Sequence, residues 1–116
     1  MKKQIHFYYK KDRINLVAEE CGFFRRFIGL MFSSRKNAKI LLFNFKKPWK
    51  IRIHSFYVFF PFIAVWLDKS NNIVDIKTVK PFTFSVFSKK PAFKLIEIPI
   101  NDHYKQIITI LTTSRR

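Results

Sequence analysis

The chain has 116 residues, of which 48% are hydrophobic and 18% aromatic, with fifteen phenylalanines. That is enough apolar mass for one buried core, and it excludes a disordered chain. Twenty-three basic residues face seven acidic ones, a formal net charge of +16, which favours a polyanionic partner such as nucleic acid or an anionic membrane surface.

Gln4 to Tyr9 and Ile14 to Ala18 read as two short strands joined by the turn Lys10-Lys11-Asp12-Arg13. From Glu19 to Met31 the period changes. Phe23, Phe24, Phe27, Ile28 and Met31 recur on one face of a helix, with Arg25 and Arg26 on the other. Glu19 and Glu20 suit the first turn, where the helix dipole favours acids, and Gly29 suits the end. One amphipathic helix is therefore expected near 19–31.

A basic loop from Ser33 to Lys39 precedes a strand over Ile40–Phe45, which Lys46-Lys47-Pro48 is expected to break. Trp49 to His54 alternates apolar and polar residues, as a strand with one wet face does. The stretch Ile53–Asp68, IHSFYVFFPFIAVWLD, is the apolar centre. Its apolar part is too short to span a bilayer as a helix, and its aromatic and β-branched content with Pro61 predicts two buried β segments kinked at that proline. Asp68 to Asn72 predicts a hairpin turn into Ile73–Val79, and Lys80-Pro81 ends that strand. Phe82–Phe87 and Ala92–Ile98 read as further extended segments, while Tyr104–Thr112 suits either a last strand or a short helix. The expectation is a single domain over 1–116, mainly β (α+β): a small antiparallel sheet or barrel with one amphipathic helix.

Three patches carry a family resemblance. RRFIGLMFS (Arg25 to Ser33), the central block ending in Leu67-Asp68, and KPFTFSVFSKKPAFKLIEIPIN (Lys80 to Asn101) resemble, in order and spacing, the domain of unknown function 192 family over about residues 18–101. The resemblance implies a compact, mostly β domain without an established activity. Arg26, Gly29, Leu30, Met31, His54, Phe60, Pro61, Leu67, Asp68, Pro81 and Glu97 match its pattern. Val58, Ile63 and Asn101 depart from it, standing where Met, Asp and Gly are usual.

The candidate polar residues are Arg26, His54, Asp68 and Glu97. Asp68 opens a turn, where an aspartate bonds backbone groups two residues on. Glu97 lies inside an apolar strand and needs a cationic partner or hydrogen bonds, which predicts an Arg26–Glu97 or Arg26–Asp68 ion pair. His54 at the mouth of the apolar block suits a satisfied histidine better than a base. Cys21 stands alone, and His6 and His103 lie far from His54 without zinc spacing, so no metal site is expected. With only Gly22 and Gly29 there is no phosphate loop, and no cofactor is expected.

Basic residues interleaved with rings supply the nucleic-acid candidates. They are Lys10 and Lys11 with Tyr9, Lys46, Lys47 and Lys50 with Trp49, and Lys89 and Lys90 with Phe82. A small accessory or binding module for a polyanion is expected rather than an enzyme. The alternatives are a hydrolase-like or carbohydrate-related cleft rimmed by the four polar candidates, or peripheral association with a membrane. The N-terminus lacks the apolar run of a signal peptide, so the expected compartment is the cytoplasm, with membrane-peripheral placement open.

Overall fold

The computed structural model describes residues 2–21, 30, 34–49, 52–53, 58–83 and 85–113. Most of the expected helix, with Arg26, lies outside these residues, as do His54 and Lys50; so do the side chains of Lys46, Lys47 and Trp49.

Eight strands follow in chain order: β1 (Lys2–Tyr9), β2 (Asp12–Glu20), β3 (Leu41–Trp49), β4 (Arg52–Ile53), β5 (Phe62–Leu67), β6 (Ile73–Val79), β7 (Val86–Phe87) and β8 (Ala92–Pro99). A 3-10 turn at Asp102–Tyr104 leads into helix α1, Lys105–Thr113. Six strands form one sheet in the order β1-β2-β3-β8-β5-β6, and β4 pairs with β7 apart from it. Among the described strand pairs, β2 and β3 run parallel, through Glu19↔Leu41 and Glu20↔Leu42, and the others antiparallel. A bridge between Tyr8 and Asn72 brings β1 back towards the start of β6, curling the sheet into a half-barrel.

β5 explains the apolar centre. All six of its residues are buried. Ile63, Val65 and Leu67 face the concave interior with Phe7, Leu16 and Ile98. Phe62, Ala64 and Trp66 face the opposite side with Phe43 and Leu95, under Leu30, Val58 and Phe60. A strand covered on both faces has no reason to alternate, and this one does not. The 3-10 turn with Tyr104 and α1 with Ile107, Ile108 and Leu111 close the interior.

The hairpin over Asp68–Asn72, the end of β6 at Val79 and the β1–β2 hairpin all stand as the sequence suggests. Four details differ. Glu19 and Glu20 belong to β2 and open no helix, because they continue its ladder against β3. β3 runs on through Lys46-Lys47-Pro48, where an irregularity between Asn44 and Trp49 shifts its register against β8 and accommodates the proline. Val58–Phe60 is not a strand, so Pro61 precedes a single described β segment instead of kinking two. Phe82 sits in a turn at φ 58°, and among the described residues of its stretch Val86–Phe87 pairs. Tyr104–Thr112 takes the helical alternative, since one face meets the core despite its β-branched residues.

Candidate functional site

One rim of the sheet gathers several loops. β5 starts at Phe62 opposite Pro99, near the end of β8, and opposite Val79, the end of β6. β3 starts at Leu41 opposite Glu97. The segments 34–40, 58–61, 80–83 and 100–105 therefore emerge together.

Hydrogen bonds sew three of them, 34–40, 58–61 and 100–105, to one another. Ala38 N–H donates to Ser34 O at 2.9 Å, closing the first loop. Asn101 Nδ2 donates to Arg35 O at 2.9 Å and Ala38 O at 3.1 Å, and Arg35 Nε donates to Ile100 O at 2.7 Å. Ile100 N–H donates to Pro61 O at 3.1 Å, and Tyr104 Oη accepts from Ile40 N–H at 3.2 Å. The Asn101 side chain is thus committed to the neighbouring loop and does not cap the turn that follows it.

The result is a groove of about 740 Å³ with Ile100 and Ile108 in its wall. Around it stand Arg35, Lys36, Asn101, Asp102, His103 and Lys105. Three are permanent cations and one is a carboxylate, so the groove carries a positive field that concave, low-dielectric walls concentrate. Lys39 and Lys80, both exposed, extend the positive rim. A smaller depression of about 430 Å³ on the β1–β2 ribbon, at Gln4, His6, Arg13 and Asn15, has a single permanent cation among the described residues.

On the same rim of the sheet lies an apolar pair. Phe59 and Phe82 are 61% and 54% exposed, and their rings meet edge to face at 5.4 Å between centroids. Each sits three residues beyond the Phe62–Val79 pair.

The cations named from the sequence distribute differently. Lys10 and Lys11 are exposed in the β1–β2 turn, with Lys10 Nζ 5.7 Å from the centre of the Tyr9 ring. Lys89 and Lys90 are exposed just before β8, about 23 Å of strand from the rim. Tyr9 is no stacking platform: it is 7% exposed, lies in the core, and its hydroxyl donates to Leu111 O at 3.4 Å. The exposed neighbour is Tyr8, edge to face with His6. Phe82 keeps its exposure, and Phe59 joins it.

Asp68 Oδ1 accepts from Ser70 N–H at 2.8 Å and Asn72 N–H at 2.9 Å, the turn-forming role its position suggests. Glu97 is buried, opposite Ala64 on β5, so Asp68 lies four residues along that strand, about 13 Å away. These two acids do not converge. Burial pushes the Glu97 carboxyl up to about 8. Among the described residues the ion pairs are Lys3–Glu20 and Lys77–Asp75, and neither involves Asp68 or Glu97. The Arg26 partner expected for them lies outside the described residues. No group of three potential metal ligands occurs among the described residues, and no helix there is long and apolar enough to cross a membrane.

Arg35, Lys36 and Lys105 went unmarked in the sequence because they meet only through the fold. The sequence signals near them are the basic character of the Ser33–Lys39 loop and Asn101, a departure from the family pattern whose side chain sews the loops together.

Residues 16–108 match the family model DUF192, Uncharacterized ACR. A UPF0127 protein of Pyrococcus abyssi is 30% identical over 79 residues, covering 68% of this chain and 67% of its own length. One from Thermococcus sibiricus is 33% identical over 79 residues, covering 67% of this chain and 51% of its own. The matched part of the chain thus spans about half to two thirds of these archaeal relatives. A crystal structure of a protein of unknown function from Novosphingobium aromaticivorans superposes with a TM-score of 0.73 at 13% identity, over 91% of this chain and 78% of that one. A Sinorhizobium meliloti protein provisionally described as a transcription regulator gives 0.73 at 17% identity, over 91% and 84%. At these identities the likeness is one of fold.

Proposed function

The chain belongs to the DUF192 family, and from that premise we propose that it is a small binding module that takes a polyanion, nucleic acid, along the cationic groove. The observation that supports this reading is the company around the groove among the described residues: Arg35, Lys36, Lys105 and His103 against one acid, Asp102. Phosphates are attracted by such a field whatever the sequence they belong to, and binding then depends steeply on salt. The reading of the chain as a hydrolase-like or carbohydrate-related enzyme draws less support, because Asp68 and Glu97 stand apart and neither lines the groove.

Fluorescence anisotropy with labelled oligonucleotides across a salt series tests the proposal. About three phosphate contacts predict a log–log slope of roughly −2 to −3. The double charge reversal Arg35→Glu/Lys36→Glu should flatten that slope and weaken binding at low salt, with Lys89→Glu/Lys90→Glu as the comparison far from the groove. Equal losses in both double variants would mean that the net charge acts diffusely and that the groove has no special part. No binding even at low salt would remove the proposal.

A further inference from the structure

We propose that the nucleic acid taken by this rim is single-stranded, with unpaired bases stacking on the Phe59–Phe82 pair; this deepens, and rests on, the reading of the groove as a polyanion site.

The two rings are surplus to the core. Phe60 and Phe62, which follow Phe59 in the chain, are buried under the sheet, whereas Phe59 and Phe82 project from the rim. The backbone accepts a cost to hold Phe82 there, since φ 58° is a region that bulky residues avoid. Thr83 Oγ1 donates to Lys80 O at 2.7 Å and fixes that turn. An exposed apolar pair held in a strained turn is a candidate contact surface.

Its position indicates the occupant. Pro61, two residues from Phe59, accepts from Ile100 N–H, and Ile100 lines the cationic groove. Rings and cations therefore share one rim, the combination that single-strand binding uses: a positive track for phosphates together with rings for base faces. A duplex offers the phosphates but hides the base faces within its stack, so the rings gain nothing from it. The groove is also concave, which suits a strand better than a flat lipid surface.

The experiment uses the full chain and fluorescein-labelled DNA of about 15 nucleotides, single-stranded and as a blunt duplex. Two ring-removing substitutions are combined, Phe59→Ser and Phe82→Asn; asparagine tolerates the left-handed backbone at position 82, so the turn survives. Circular dichroism confirms the fold. The expected result is a wild-type preference for the single strand of roughly tenfold or more, lost in the double variant while duplex binding stays unchanged. Equal wild-type affinity for both forms, with Arg35→Glu/Lys36→Glu weakening both, would overturn this inference and leave the polyanion reading standing. A single-strand preference that survives loss of both rings would overturn it as well. Absence of oligonucleotide binding would remove both readings. Ring-dependent binding to phosphatidylserine vesicles in that case would place the rim on a membrane instead.

Discussion

Glu97 stands opposite Ala64 on one side and Leu41 on the other, so a carboxyl group projects from the middle of β8 into an apolar sheet face. Trp66, two residues along β5 from Ala64, shares that face, and its buried indole N–H has no hydrogen-bond partner among the described residues. Burial disfavours the carboxylate, which is why the group ionises only near 8.

A pH dependence follows, with a definite sign. Below about 4.5, the ordinary value for this group, it holds its proton whether the chain is folded or not. Between there and about 8 the folded protein keeps the proton while the unfolded chain releases it, so the Glu97 contribution to stability falls as pH rises through this window. Glu97→Gln places a neutral group of the same shape in the site. It should match wild type near pH 4.5 and exceed it at pH 8 by on the order of a few kcal/mol. Urea unfolding at the two pH values measures this; a constant difference between the proteins would show that Glu97 does not titrate in the window.

Asn71 latches the two edges of the half-barrel. Its Nδ2 donates to His6 O at 2.9 Å, its carbonyl accepts from Tyr8 N–H at 3.3 Å, and its Oδ1 accepts from Lys94 Nζ. It does so at φ 66°, where a Cβ is unwelcome. Asn71→Gly keeps the backbone and loses the side-chain bonds, at a cost of about 1–2 kcal/mol. Asn71→Ala loses the same bonds and adds about 1 kcal/mol of backbone strain. Denaturant midpoints that coincide for the two variants would show that the left-handed backbone carries no penalty here.

The parts of the fold that were legible in the sequence are those set by neighbours along the chain. β5 announced itself by having no polar residue at either parity, and Asp68–Asn72 by its turn chemistry. Parity along β1 also placed Tyr9, since Ile5, Phe7 and Tyr9 alternate into the core; the adjacent Lys10-Lys11 had made it resemble a stacking residue. Pro48 inside β3 was hidden because its tolerance depends on a register shift against β8, a property of the pair of strands. The groove was hidden for the same reason. Arg35 and Lys105 are seventy positions apart (105 − 35) and become neighbours only when Ile100 bonds to Arg35 and Asn101 to its loop.

Asp68 tests how far one side chain sets the β5–β6 register. Its Oδ1 takes two backbone N–H groups that the tight turn leaves without other partners. Asp68→Ala should cost about 1–2 kcal/mol, and Asp68→Asn, which keeps an acceptor oxygen, less than half of that. Thermal unfolding reads this as a drop of several degrees for alanine. Equal effects of the two substitutions would assign the loss to charge, through Lys94, whose ammonium Asp68 favours against burial and Lys3.

Leu111 couples the core to the groove. It is fully buried against the half-barrel interior near the end of α1, and its carbonyl takes the Tyr9 hydroxyl. The first residue of the same helix is Lys105, in the groove wall, so the docking of the apolar face fixes where that cation stands. Leu111→Ala should cost about 2–4 kcal/mol, from lost burial and a residual cavity. Because α1 makes few other buried contacts, its amides should exchange faster than those of β5 and β8, by local opening ahead of global unfolding. If the groove binds phosphate as proposed, oligonucleotide affinity should fall in this variant although no charge has changed. Hydrogen exchange and anisotropy on the same sample compare the two effects. Faster exchange in α1 with undiminished affinity would show that Lys105 contributes little, leaving binding to Arg35 and Lys36, which the Asn101 contacts hold in place without the helix.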